Sequence, residues 1–87
     1  MKIKKGYVLK NLSNKHIVVP VGEEAINFSG LITLNESGKL LFETLGNDVS
    51  LDDLVSKLLD AYEIDEETAR KDATAFVDKL RGKQIIE

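Results

Sequence analysis

The spacing of apolar residues gives the first third of the chain a β-like pattern. Two β-favouring runs cover residues 7–11 and 16–21, and the turn-forming residues 11–14 between them indicate a hairpin. Pro20 has no amide proton, so it belongs at the end or the edge of a strand. The pattern therefore predicts two antiparallel strands near the start of the chain.

A third β-like run covers residues 29–34 and predicts another strand. Residues 25–28 fit either an extension of that strand or a loop that places Ile26 and Phe28 in the core. We favour the loop, and the sequence leaves both open.

The remainder of the chain has the spacing of three helices. The first is predicted from about Glu36 to Leu45, the second begins after Ser50, and the third begins after Asp65 and ends at Gly82. Asn35, Ser50 and Asp65 are good N-caps, and Ser50 with Asp53 resembles a capping box. The predicted inward residues are Leu41, Phe42 and Leu45; Leu51, Leu54, Val55, Leu58, Leu59 and Tyr62; and Ala69, Ala73, Phe76, Val77 and Leu80. Ile85 and Ile86 are expected to pack back on the body.

The order of elements predicts an α+β fold of three antiparallel strands followed by three helices, in one domain over residues 1–87. No run of apolar residues is long enough to cross a bilayer, and the chain has no cysteine. We expect a cytoplasmic protein without a membrane partner.

The residue types offer little for catalysis. His16 is the only histidine, neither a P-loop nor a dinucleotide motif is present, and the acidic pairs lie in first helical turns, where they favour the helix dipole. We expect no enzyme activity, no catalytic residue, no metal and no cofactor. Ser50 leaves one alternative open, a carrier protein modified on this serine, although Val49 separates it from Asp48, whereas the carrier motif has the aspartate directly before the serine.

The distribution of charge along the chain bears on whether the protein binds nucleic acid. Residues 1–35 carry five Lys against two Glu, whereas residues 36–87 carry seven Lys or Arg against thirteen Asp or Glu. A nucleic-acid-binding domain needs a concentrated basic surface. We therefore expect no nucleic-acid partner and rank a DNA-binding regulator as an alternative.

Several segments in order carry a family resemblance. They are residues 18–22, 30–38 and 50–55, followed by Asp72, Phe76 and Leu80 leading to Gly82 and Ile85-Ile86. The most distinctive is Leu-Asn-Glu-Ser-Gly at 34–38, which joins a strand to a helix. Together they resemble the PqqD family, the founding group of peptide-recognition elements in ribosomal peptide modification.

The resemblance implies a winged helix-turn-helix arrangement and a non-catalytic peptide chaperone. The leader of a precursor peptide would add as a strand to the edge of the third strand, in a groove between that strand and the third helix. The partner would be a maturase, of the radical SAM type in founding members, which serve pyrroloquinoline quinone biosynthesis. No bound quinone is expected, and an open strand edge also permits a monomer or a weak homodimer.

On this sequence the edge is Gly30 to Thr33. If Ile32 and Leu34 face the core, alternation turns Leu31 and Thr33 outward. An open edge offers unpaired N–H and C=O groups in register, which a peptide can pair with.

The third helix has two flanks beside its apolar stripe, and the sequence does not say which one meets the strand. One flank holds Arg70, Thr74, Val77 and Arg81, and the other holds Thr68, Asp72, Ala75 and Lys79. We prefer the first, because its arginines can pair with acidic peptide side chains. The predicted peptide-binding residues are Gly30, Leu31, Ile32, Thr33, Arg70, Thr74, Val77 and Arg81.

Overall fold

The computed structural model describes residues 1–22 and 32–87. Three strands precede three helices: β1 (Tyr7–Leu12), β2 (Lys15–Pro20), β3 (Ile32–Leu34), α1 (Glu36–Thr44), α2 (Leu51–Ala61) and α3 (Glu66–Gly82). The predicted α+β fold class is confirmed. The choice between loop and strand for residues 25–28 lies outside the described residues, as do Gly30 and Leu31.

The strands form one antiparallel sheet in the order β1-β2-β3. Leu12 pairs with Lys15 across a two-residue turn, in which Ser13 has a positive φ of 52°. Pro20 is the last residue of β2 and pairs with Tyr7, so it lies at a strand end as predicted. β3 pairs with β2 through Val18 and Ile32.

Each helix begins at the predicted cap. The Asn35 side chain accepts a hydrogen bond from the Gly38 amide at 2.8 Å, and Asp65 accepts one from the Thr68 amide at 2.7 Å. Ser50 and Asp53 exchange two bonds, which makes the predicted capping box complete. These bonds satisfy amides that have no partner within their helices.

The core lies between the inner face of the sheet and the inward stripes of the helices. Its largest side chains that are less than 2% exposed are Leu45, Leu54, Leu58, Leu80, Ile85 and Val18. Near the C-terminus Ile86 forms a bridge with Ile3, and the Lys4 amide donates to the Ile85 carbonyl at 2.8 Å. The prediction that Ile85 and Ile86 pack back on the body is confirmed.

In the described part of the chain, no helix is both long enough and apolar enough to cross a membrane.

Candidate functional site

β3 is an edge strand in the described part of the chain. It pairs with β2 on one side, and the strand order places no other described strand on its second side. Ile32 and Leu34 are buried while Thr33 is exposed, so the predicted alternation is confirmed for residues 32–34. Ile32 can therefore reach a ligand only through its backbone, whereas Thr33 also presents its side chain.

A groove of about 350 Å³ runs between β3 and α3. We call it the strand–helix groove. One wall comes from β3 and the start of α1, and the other comes from α3. Its lining residues are Thr33, Leu34, Asn35, Ser37, Gly38, Leu41, Asp72, Ala75, Phe76 and Lys79.

The apolar part of this groove depends on Gly38. A Cβ at this position would lie 3.2 Å from the Leu34 Cβ and 3.4 Å from the Phe76 Cε1. Most Cβ atoms do not approach other atoms so closely, so a larger residue would push on the strand or on the ring. Gly38 thus lets α1 approach β3 while the partly buried Phe76 ring still lines the groove.

Two opposite charges stand on the α3 wall. Asp72 and Lys79 are exposed, and neither makes an ion pair or a side-chain hydrogen bond within residues 1–22 and 32–87. They are seven positions apart, which is about 10 Å along a helix. Both charges are therefore available to a ligand in the groove, one at each end of the α3 wall.

The other flank of α3 faces away from β3. Arg70 Nη1 lies 2.9 Å from Asp52 Oδ1 on α2, and its Nη2 lies 3.3 Å from Glu66 Oε1. The hydrogen bond to Asp52, followed by that to Glu66, raises the pKa of the Arg70 guanidinium, so it stays charged within this ion-pair network.

The remaining residues of that flank line a separate cleft. Thr74, Val77 and Arg81 lie there with Met1 and the segment that leads into α2, and Val77 is only 4% exposed. The preference for Arg70, Thr74, Val77 and Arg81 as the wall that meets the third strand is therefore wrong. These residues sit on the α2 side of the helix, and the α3 wall of the groove is Asp72, Ala75, Phe76 and Lys79.

The sequence contained one signal for the correct flank. Phe76 is the largest member of the predicted apolar stripe on α3, and it remains only partly buried. Ala75 follows Asp72 by three residues and Lys79 follows Phe76 by three residues, so all of them share one side of the helix. A large aromatic residue at the margin of a stripe indicates the side on which apolar surface stays accessible.

His16 occupies a structural position. Its Nδ1 lies 2.6 Å from Asn11 Oδ1 and its Nε2 lies 2.8 Å from Glu36 Oε1. The hydrogen bond with His16, together with its charge when protonated, lowers the pKa of the Glu36 carboxyl. The imidazole thus ties the β1–β2 hairpin to the first turn of α1, immediately beside the groove.

Ser50 is the residue on which the carrier-protein alternative depends. Its hydroxyl oxygen accepts a bond from the Asp53 amide at 3.1 Å, and its own amide donates to the Asp53 carboxylate at 2.9 Å. Helix capping accounts for both residues. Among the described residues there is also no group of three or more His, Cys, Asp or Glu side chains that could hold a metal ion.

The geometry defines a small α+β domain in which a strand edge and a helix border one groove. Beyond this class, the chain belongs to the PqqD family, described as coenzyme PQQ synthesis protein D, whose model matches residues 7–86. The family predicted from the sequence is confirmed.

Two solved structures share the fold. One is TbiB1 in complex with the TbiA(beta) leader peptide, with a TM-score of 0.78 and 18% identity over 100% of this chain and 95% of that one. The other is lasso peptide synthetase B1 complexed with the leader peptide, with a TM-score of 0.74 and 17% identity over 93% and 89%. No curated protein matches the sequence.

Proposed function

We propose that this chain is a non-catalytic peptide chaperone. It binds the leader of a ribosomally made precursor peptide by strand addition to β3 and presents that peptide to a separate modifying enzyme. The observation that carries the proposal is the strand–helix groove, in which the Thr33 edge faces a wall with a partly exposed aromatic ring and two charges that have no ion-pair partner among the described residues.

The physical reason concerns what an extended peptide needs. Its backbone requires partners for its own N–H and C=O groups, and a strand edge supplies them for any sequence. Its side chains require pockets, because the backbone bonds alone do not discriminate between peptides. Phe76 and Ala75 offer apolar contact, and Asp72 and Lys79 favour a peptide with a basic group at one end of the paired segment and an acidic group at the other.

Family and fold agree with this function. The chain belongs to the PqqD family, the founding group of peptide-recognition elements. The two solved structures with this fold are each described with a leader peptide. The modifying enzyme is inferred from the family alone. Because founding members work with radical SAM maturases, we propose an enzyme of that type as the partner.

The flank that binds the peptide can be tested with two neighbouring positions on α3. Ala75 and Thr74 are both exposed, but Ala75 lines the strand–helix groove and Thr74 lines the cleft on the other side. Ala75→Arg places a long side chain in the groove without burying it, and Thr74→Arg makes the same change outside. The probe is the leader of the precursor encoded beside the gene for this chain, measured by calorimetry.

We expect Ala75→Arg to weaken leader binding by about ten-fold or more, equivalent to about 1.4 kcal/mol, while Thr74→Arg binds as the wild type does. Circular dichroism checks that both variants are folded. Equal affinities for all three proteins would show that the peptide binds elsewhere. A leader that does not bind the wild type at all would overturn the proposed function.

A further inference from the structure

A second cavity adjoins the strand–helix groove. It measures about 430 Å³ and lies where the end of α2, the residues before α3 and the start of α1 meet. We call it the α2–α3 pocket. Asn35, Ser37 and Asp72 line this pocket and the groove alike, so the two cavities lie side by side.

The residues that belong to the α2–α3 pocket alone are mainly apolar. Leu58 is 1% exposed, Ile64 is partly buried, and Tyr62 is 38% exposed. An exposed aromatic ring beside buried aliphatic side chains presents apolar surface on one side and a polar hydroxyl to water on the other. A cavity of roughly 150 Å³ is enough to admit a benzene ring, so this pocket can hold an aromatic or a large aliphatic side chain.

The position of the pocket determines which part of a peptide reaches it. Leu34 ends β3, and Asn35 and Ser37 follow it directly, so the pocket lies beyond the C-terminal end of the strand. Antiparallel pairing is the more stable arrangement per residue, and it places the N-terminal side of an added peptide at the C-terminal end of β3. A residue that precedes the paired segment of the peptide therefore lies at the α2–α3 pocket.

We propose that the α2–α3 pocket is a second specificity subsite, which takes an apolar or aromatic side chain from the part of the leader that lies N-terminal to its strand-forming segment. This inference rests on the proposed function, because it concerns the same peptide. Asp72 stands between the groove and the pocket, so a basic residue between the apolar anchor and the paired segment also fits the peptide.

The test uses the leader of the neighbouring precursor, labelled at its C-terminus, and measures affinity by fluorescence anisotropy. Tyr62→Ala removes the exposed ring from the pocket, and Tyr62→Phe keeps it. Leu59→Ala is the matched control, because Leu59 lies on α2 three residues before Tyr62, is 39% exposed and does not line the pocket. A second leader lacks the residues that precede the paired segment.

We expect Tyr62→Ala to weaken binding of the whole leader by about ten-fold, and Tyr62→Phe and Leu59→Ala to bind as the wild type does. The shortened leader should bind wild type and Tyr62→Ala with equal affinity, because the group that Tyr62 contacts is then missing. Circular dichroism confirms that each variant is folded.

The outcomes separate the two claims. If Tyr62→Ala binds the whole leader normally while Ala75→Arg binds it weakly, the subsite proposal is wrong and the proposed function stands. Coupling between Tyr62 and residues after the paired segment would overturn the stated direction of the peptide. If the whole leader does not bind the wild-type protein, both the subsite proposal and the proposed function are wrong.

Discussion

Two adjacent leucines on α2 show where the burial of a residue differs from the burial that helical spacing predicts. Leu58 and Leu59 both belong to the predicted apolar stripe, yet Leu58 is 1% exposed and Leu59 is 39% exposed. A stripe at i+7 and i+8 spans a wide face, and a helix in a small domain buries only the part of that face that meets its neighbours. The spacing of residues along α2 predicts its apolar face, and packing against neighbouring elements decides which residues of that face are buried.

The pair gives a stability prediction with an internal control. Leu58→Ala truncates a buried side chain, so we expect it to lower the free energy of unfolding by about 2–5 kcal/mol. Leu59→Ala, with the same chemical change next to it, should cost less than about 1 kcal/mol. Urea unfolding followed by circular dichroism measures both, and equal losses would contradict the assignment of Leu58 to the core.

At the scale of the element, the described residues of β3, Ile32–Leu34, alternate between core and surface. The backbone groups of a strand edge can pair with any extended peptide, so the side chains of the α3 wall must supply much of the selectivity.

Strand addition predicts a period of two along the peptide. In an antiparallel pair, alternate residues direct their amides toward the neighbouring strand. N-methylation of single leader amides should therefore weaken binding strongly at every second position of the paired segment and little at the positions between. Calorimetry with the N-methylated leaders measures the loss of affinity at each position. Equal losses at all positions, or losses that recur every three to four residues, would exclude pairing with β3.

The protein side of the same pairing is tested by Thr33→Pro. This substitution removes one amide from β3 and is informative only if circular dichroism shows that the variant folds. Unchanged leader affinity in a folded Thr33→Pro variant would then argue against strand addition at this edge.

At the scale of the whole molecule, two exposed carboxylates accept hydrogen bonds in the folded chain. Glu36 on α1 bonds to His16 on β2, and Asp65 caps α3 through Thr68. The bond from His16 lowers the pKa of Glu36, and the bonds from Thr68 lower that of Asp65. Both groups therefore bind protons less readily in the folded chain than in the unfolded chain.

Stability should consequently fall in acid. A carboxyl with a lowered folded pKa contributes its stabilisation above its ordinary range, and the contribution is lost as the pH falls below about 4. We expect the thermal midpoint to decrease below that pH, and the difference between wild type and Glu36→Gln to narrow as it does. Thermal unfolding from about pH 3 to pH 7 tests this, and a constant difference would rule out the Glu36 contribution.

The sequence alone was sufficient for the local features of this protein. The caps Asn35, Ser50 and Asp65, the alternation in β3 and the return of Ile85 and Ile86 to the core were all predictable, because each depends on neighbours in the chain or on the burial of apolar residues. The order of segments was also enough to predict the family, which is a property of the sequence itself.

The tertiary structure decided which surfaces meet. Spacing placed Arg70 and Ala75 on opposite flanks of α3 but could not orient the helix, since both flanks hold charged and small residues. The orientation follows from packing of α3 against α2, where Arg70 pairs with Asp52, and this leaves Asp72, Ala75, Phe76 and Lys79 to face β3. Contacts between distant segments set the groove. The periodicity of α3 located its apolar stripe but not the flank that meets β3, for which Phe76 at the margin of the stripe was the one sequence signal.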